Sequence, residues 1–285
     1  QVTAPVAVAP RCWFRESPDT PVEPIVLPRI ELATYEEVLP NGARFVGQAI
    51  PASRLAVVGL RLPAGAARDA AQPGLAYVTG QLLTRGTKRH DEAVYNEELD
   101  RLGATLSVGV GRDGVDITLT CLVEVLDSAL PLLVETVLEP AFPAEQFERV
   151  RQQALTALRQ AQQSTRAQAD ALLRSSLYPA DHPYHHRVLG TEESLESLSL
   201  DAVRAFHERF YRPAGAVIAV AGGIDPQRVG ASLARALADW EGSAPALEFP
   251  PVAPPERGRR RQERLPGKQQ ADLALGIVTI HRRHP

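Results

Sequence analysis

The chain is organised around the stretch Gly74-Leu-Ala-Tyr-Val-Thr-Gly-Gln-Leu-Leu-Thr-Arg-Gly-Thr87. We predict that most of this stretch belongs to a helix running from about Ala70 to Leu83. Residues four apart share one face of a helix, so Tyr77 and Gln81 are expected side by side, with Gly80 next to them. These three positions therefore carry a phenol, a hydrogen and an amide, none of which acts as a general base at neutral pH.

The composition is that of an ordinary globular protein. The 285 residues are 44% hydrophobic and 23% charged, which is enough to bury one large core or two small ones. No apolar run approaches the roughly 18 residues that a transmembrane helix needs, so we expect no membrane span. A net charge of -3 gives no basic footprint for nucleic acid. The basic tract Arg257–Arg264 is interpreted as a solvated linker.

The two cysteines, Cys12 and Cys121, do not form a disulfide framework or a metal-binding spacing. Cys121 lies in an apolar, strand-like run and is expected to be a small buried hydrophobe. Lysine occurs only at Lys88 and Lys268 while arginine is abundant, which suggests a GC-rich bacterial genome. The compartment stays open between periplasm and cytoplasm.

Strand-like and helix-like segments occur in clusters along the chain. We predict a hairpin around the turn Pro40-Asn-Gly42, and a second around Arg112-Asp113. Further strands are predicted at 55–62 and 216–221, and further helices at 91–102, 125–138, 144–163, 167–177, 200–210 and 226–240. Because strands and helices do not alternate strictly, the pattern favours an α+β fold, a two-layer domain of mainly antiparallel sheet packed with helices.

Proline-rich segments divide the chain into four parts. Residues 1–28 are predicted to be a leader or linker, and residues 29–242 an α+β domain. Residues 243–267 read as a Pro/Arg-rich linker. Residues 268–285, with a strand expected over Ala271–Ile280, are predicted to begin a second similar domain that is truncated here.

The spacing Gly109-x-Gly111-x-x-Gly114 matches a dinucleotide-binding fingerprint in its glycine positions but not in its structural context. That motif needs a strand before it and a helix N-terminus at its end to hold the pyrophosphate. Here a β-rich segment follows, so we predict no nucleotide site.

The frame of the opening stretch resembles the metal-binding helix of the insulysin/pitrilysin zinc metallopeptidases, the inverzincins. That helix reads Gly-Leu-Ala-His-x-x-Glu-His-x-Leu-x-x-Gly-Thr, and the matching residues here are Gly74, Leu75, Ala76, Leu83, Gly86 and Thr87. The resemblance covers roughly Leu39 to Glu241. The other matches, in the family's order and spacing, are His182–Tyr184, Leu189–Glu193, Phe206, Tyr211–Pro213, Ala221–Asp225 and, after the linker, Pro266–Ala271.

The family's chemical residues are all replaced. The resemblance implies that Tyr77, Gly80 and Gln81 stand where the family has His, Glu and His, and that Ala157 stands at the position of the third ligand, a glutamate. We therefore expect no catalytic residue, no cofactor-binding residue and no metal ligand in this chain. Zinc is expected in an active partner half instead.

Restoring Tyr77→His, Gly80→Glu, Gln81→His and Ala157→Glu together is expected to recover zinc affinity. Glycine inside a helix costs up to about 1 kcal/mol relative to alanine, so the change at Gly80 is also expected to stabilise the helix slightly.

Other candidate sites are interpreted as structural. The histidines His182, His185 and His186 share a loop and His281 and His284 lie near the end, but neither group has a carboxylate at ligand spacing. The pair Glu97-Glu98 is interpreted as the solvated face of a helix. Ser107 and Ser164 lack the His and Asp partners that a nucleophile needs.

The resemblance implies a clamshell of two homologous halves that closes around a peptide-digesting chamber, with this chain in the metal-free half. Its expected partners are a metal-bearing H-x-x-E-H subunit or fused half, and peptide substrates, but no nucleic acid. One alternative is a structural or binding scaffold that resembles the core subunits of a respiratory complex and has no peptidase role. Another is an active peptidase with an unorthodox site.

Overall fold

The computed structural model describes residues 34–69, 71–252 and 258–279, and a single six-stranded sheet forms its centre. The strands are β1 Thr34–Val38, β2 Arg44–Ala49, β3 Leu55–Leu62, β4 Thr105–Val110, β5 Val115–Leu122 and β6 Val217–Gly222. They lie in the order β1-β2-β6-β3-β5-β4, and every neighbouring pair is antiparallel except β2 and β6. The predicted antiparallel sheet and both hairpins are confirmed.

One face of the sheet is buried under helices while the other is more exposed. In β5, Val115, Ile117 and Leu119 are buried and alternate with the partly exposed Asp116 and Thr118. Side chains of a strand point alternately to opposite faces, so this period of two places the core on one side only. The domain therefore has two layers, as the sequence predicts.

Eight α-helices belong to the described residues. They are α1 Leu75–Leu82, α2 Glu92–Arg101, α3 Leu126–Leu138, α4 Ala144–Gln162, α5 Thr165–Leu177, α6 Glu192–Ser197, α7 Leu200–Phe210 and α8 Pro226–Ala236. Within the described ranges no helix combines the length and the apolarity needed to cross a membrane. The predicted start of α1, at about Ala70, lies too far toward the N-terminus, because the helix begins at Leu75. Ala70 itself lies outside the described residues.

Helix α1 lies at the centre of the helical layer. It packs against β4 at one edge of the sheet and against both α4 and α7. Helix α3 packs on β5, and α8 packs on β2 and β6. These contacts make one continuous apolar core that joins β2, β5 and the described helices other than α5.

The structure describes residues 271–279 of the strand predicted over Ala271–Ile280, and these residues do not form a strand. Residues 271–279 pair with no other strand in the part of the chain that the structure describes, and Ile280 lies beyond it. An extended segment becomes a strand only when a neighbour accepts and donates its ladder hydrogen bonds. Whether residues 268–285 begin a second domain stays a prediction, as do the other domain boundaries.

Candidate functional site

The start of α1 is fixed by a buried carboxylate and a glycine. Gly74 has φ 100°, a conformation that favours glycine, and a Cβ there would lie 2.8 Å from the carbonyl oxygen of Leu189. The backbone N–H groups of Gly74 and Ala76 each donate a 2.7 Å hydrogen bond to Asp69. Asp69 is thus the N-terminal anchor of α1, a role that the sequence reasoning missed.

Asp69 is 6% exposed, and burial raises its pKa to about 7 against the two backbone hydrogen bonds, which lower it. Transfer of a carboxylate out of water disfavours its charged form. The helix therefore begins on a group that titrates close to neutral pH.

Tyr77 and Gln81 lie four residues apart on α1 and both are partly exposed. Tyr77 also packs against the apolar core. Residues at this spacing share one helix face, so the structure brings them together as the sequence predicts. Ala157 is partly exposed on α4, a helix that packs directly against α1.

Gly80, unlike Tyr77 and Gln81, is buried. A Cβ at this position would lie 2.3 Å from Cγ2 of Val110 and 3.7 Å from Cγ1 of Val108, both on β4. The glycine allows α1 to approach the edge strand closely. The expectation that replacing Gly80 stabilises α1 is therefore wrong: the gain in helix propensity is opposed by overpacking against Val110.

The side chains at these positions do not fit a zinc ion. Zinc sites in proteins are built from thiolates, imidazoles and carboxylates, whereas Tyr77, Gly80, Gln81 and Ala157 supply a phenol, no side chain, a neutral amide and a methyl group. A neutral donor set does not offset the desolvation of a dication. Among the described residues no three His, Cys, Asp or Glu side chains are grouped closely enough to hold a metal.

The histidine loop has hydrogen bonds and ring contacts of its own. His182 Nδ1 accepts a 3.0 Å bond from the backbone N–H of Tyr184, and its ring stacks on Tyr178 with centroids 4.6 Å apart. His185 Nδ1 lies 2.8 Å from the carbonyl oxygen of Tyr178. The interpretation as a hydrogen-bonding loop is confirmed for these residues. His281 and His284 lie outside the described residues.

The remaining sequence candidates are also structural. Glu98 forms an ion pair of 2.6 Å with Arg101 on the outside of α2. Ser164 caps α5 by accepting a hydrogen bond from the N–H of Ala167. Ser107 is exposed on β4, and Gly109, Gly111 and Gly114 belong to the β4–β5 hairpin and its turn, which excludes the helix N-terminus that a pyrophosphate would need.

A buried polar network that sequence reasoning missed follows α1. Thr87 donates a 3.2 Å hydrogen bond to Glu135 and accepts bonds from the backbone N–H groups of Arg89 and His90. His90 Nδ1 lies 2.9 Å from the same carboxylate. Since Glu135 belongs to α3 and its side chain is 7% exposed, the network ties the end of the α1 stretch to the helical layer.

Comparison with known proteins identifies the family of this chain. A family model described as "Insulinase (Peptidase family M16)" matches residues 44–191, and one described as "Peptidase M16 inactive domain" matches residues 197–285. The chain belongs to the M16 peptidase family. The predicted resemblance is thereby confirmed.

Two curated relatives match different shares of the chain. A non-peptidase homolog from Helicobacter pylori is 31% identical over 140 residues, which are 49% of this chain and 32% of the relative. An uncharacterized zinc protease from Streptomyces coelicolor is 25% identical over 258 residues, covering 86% of this chain and 54% of the relative. The chain therefore spans less than two thirds of either relative.

A solved structure of an M16 protein has the same fold as this chain. The crystal structure of a peptidase M16 inactive domain from Pseudomonas fluorescens superposes with a TM-score of 0.74 at 27% identity, covering 79% of this chain and 55% of that one. At the level of this domain, the chain is an inactive, M16-like non-peptidase homologue. The comparisons do not favour the alternative of a respiratory scaffold.

Proposed function

We propose that this chain is the non-catalytic half of a two-part M16 metalloendopeptidase. In this role it forms part of the wall of a peptide chamber and holds an H-x-x-E-H partner half in register. The partner, a separate subunit or a fused half, supplies the zinc and the general base. This chain supplies surface and rigidity.

One observation carries the proposal. The stretch Gly74–Thr87, which contains α1, keeps the family's frame, while Tyr77 and Gln81 on α1 and Ala157 on α4 carry no zinc donor of the usual kind. Gly80 has in addition no room for a general base, because even a methyl group there meets Val110. A helix that retains the packing residues of the family but has no zinc ligand and no general base supports a structural role in an assembly and not a catalytic one.

The edge of the sheet supports a role in binding peptide. Strand β4 pairs with β5 on one side and lies at the end of the strand order, so no described strand pairs with its other side. An open strand edge offers backbone donors and acceptors to an extended peptide, which can add to the sheet as a further strand. The peptide would then run beside α1, which packs on β4.

Identification of the partner tests the proposal. The chain is crosslinked in its source cell and captured, and the crosslinked proteins are identified by mass spectrometry. We expect an M16 protein that carries H-x-x-E-H, crosslinked through this domain. Peptide cleavage by that partner, expressed alone, is then compared with cleavage in the presence of the whole protein to which this chain belongs.

We expect cleavage to increase when both halves are present. A chain that is crosslinked to no H-x-x-E-H protein, or a partner whose cleavage is unchanged by it, contradicts the proposal. Cleavage by this chain alone, inhibited by a zinc chelator, would instead favour a peptidase with an unorthodox site.

A further inference from the structure

A cationic cleft lies away from the α1 site, between α5 and the segment 259–274, which comprises the end of the Pro/Arg-rich linker and the residues after it. Its volume is about 490 Å³. The charged side chains that line it are Arg259, Arg260, Arg261, Arg264 and Lys268, opposed by Glu263 and Asp272. All five cations are exposed, and within the described ranges none of them forms an ion pair.

Two of the arginines hold the segment on α5. Arg261 donates a 3.0 Å hydrogen bond to the hydroxyl of Ser175, and Arg259 a 3.5 Å bond to the carbonyl oxygen of Ser176. Both acceptors are neutral, so the positive charge of each guanidinium is not compensated there. These contacts position the other cations along the cleft.

Arg260 and Asp272, both in the lining of the cleft, differ in the hydrogen bonds that they form. Arg260 donates only a 3.4 Å bond to Gln262. By contrast, the carboxylate of Asp272 accepts bonds from Thr165 and from Gln270. The carboxylate of Asp272 is thus occupied by neutral donors.

The floor of the cleft is apolar. No residue of α5 is fully buried, and its Leu172 and Leu173 line the cleft while remaining partly exposed. Leu273, on the opposite side, is 95% exposed. A helix with leucines on its outer side commonly has those leucines covered by another apolar surface.

We propose that the cationic cleft binds an acidic peptide segment, whose carboxylates contact Arg260, Arg264 and Lys268 and whose apolar side chains lie on Leu172 and Leu173. Guanidinium groups bind carboxylates in a planar, two-bond geometry, and lysine adds a mobile point charge. The leucine floor favours a peptide over a nucleic acid, whose outer surface is phosphate and sugar. The inference does not depend on the role proposed for α1.

Fluorescence anisotropy with labelled peptides tests the inference on the intact chain. The probes are a dodecapeptide of alternating Glu and Leu, and the same peptide with Lys in place of Glu. We expect the acidic peptide to bind and its affinity to fall with ionic strength, since exposed charge contacts are screened by salt. The triple variant Arg260→Gln, Arg264→Gln and Lys268→Gln should bind it about tenfold or more weakly.

A matched triple variant removes the same charge elsewhere. Arg54→Gln, Arg204→Gln and Arg235→Gln change three exposed arginines outside the cleft, and this variant should bind as the wild type does. Equal binding of the acidic peptide by the wild type and by the cleft variant would overturn the inference. So would equal binding of the lysine peptide, or tighter binding of a single-stranded DNA oligonucleotide than of the acidic peptide.

Discussion

At Gly80 the absence of a side chain sets the distance between α1 and the sheet. A Cβ at this position would lie 2.3 Å from Cγ2 of Val110, closer than real Cβ contacts occur. We predict that Gly80→Ala lowers the free energy of unfolding by about 1–3 kcal/mol, the usual cost of overpacking a core. Urea denaturation of wild type and variant measures this difference.

A double-mutant cycle separates the close contact from helix propensity. In a Val110→Ala background the colliding methyl groups are gone, so Gly80→Ala should there become neutral or stabilising by up to about 1 kcal/mol. If Gly80→Ala has the same effect in both backgrounds, the close approach of α1 to β4 is not what keeps this glycine.

Asp69 makes the stability of the domain depend on pH. Its pKa is raised from 3.8 to about 7 by burial, so the folded state binds this proton more tightly than the unfolded state does. The contribution of Asp69 is greatest below pH 3.8 and is lost as the pH rises through about 7. In Asp69→Asn this loss, at most about 1.4 kcal/mol per pH unit, should be absent.

The comparison of Asp69→Asn with wild type is needed because a second buried group acts with the opposite sign. Burial lowers the pKa of His207 from 6.5 to about 4, so its contribution is present above pH 6.5 and is lost as the pH falls. The difference between the two unfolding curves, measured from pH 4 to pH 8, cancels this effect. Parallel curves would show that Asp69 is not the titrating group.

At the scale of elements, the Glu135 network joins α3 to the segment after α1. The carboxylate interacts with Thr87 and His90 in a nearly closed environment. We predict that Glu135→Ala lowers the free energy of unfolding by about 1–3 kcal/mol, because it leaves buried donors without an acceptor. Thermal denaturation monitored by circular dichroism gives the value.

Glu139→Ala is the matched control for this prediction. Glu139 is one helical turn further along, and its side chain, 34% exposed, pairs with Arg89 near the surface. An ion pair of that kind contributes about 0–1 kcal/mol. Equal losses in the two variants would contradict the assignment of Glu135 as the buried link.

The pairing of α1 with α4 predicts how zinc binding can be restored. The ligand variant Tyr77→His, Gln81→His and Ala157→Glu introduces three donors on two helices that already pack together, and isothermal titration should detect zinc binding. Adding Gly80→Glu should lower stability unless Val110→Ala accompanies it, since position 80 is closed by β4. A well-folded ligand variant without zinc affinity would show that these positions are misassigned.

Most elements could be predicted because their signals are local. The hairpin at Pro40-Asn-Gly42 and the alternation in β5 each depend on a few neighbouring residues. The start of α1 could not be predicted in the same way. It depends on Asp69, five residues upstream of Gly74, and on the chain passing at Leu189, contacts that only the folded chain creates.

At the scale of the whole molecule, sheet order was beyond the sequence pattern. The parallel pairing of β2 with β6 joins residues more than 160 positions apart, and no local periodicity encodes such a partner. The family frame of α1 could be recognised from the sequence, because its residues sit at a fixed spacing. The room at Gly80 was not readable, because it is set by Val110 on another element.

The zinc content of the purified chain distinguishes a metal-free half from a degenerate but working site. Protein expressed without a histidine tag is dialysed against excess zinc, freed of unbound metal and analysed by mass spectrometry for zinc per chain. The phenol of Tyr77, the neutral amide of Gln81 and the methyl group of Ala157 predict a zinc content far below one atom per chain, unchanged in Tyr77→Phe and Gln81→Ala. A content close to one atom per chain, lost in either variant, would contradict the assignment of this chain as the non-catalytic half.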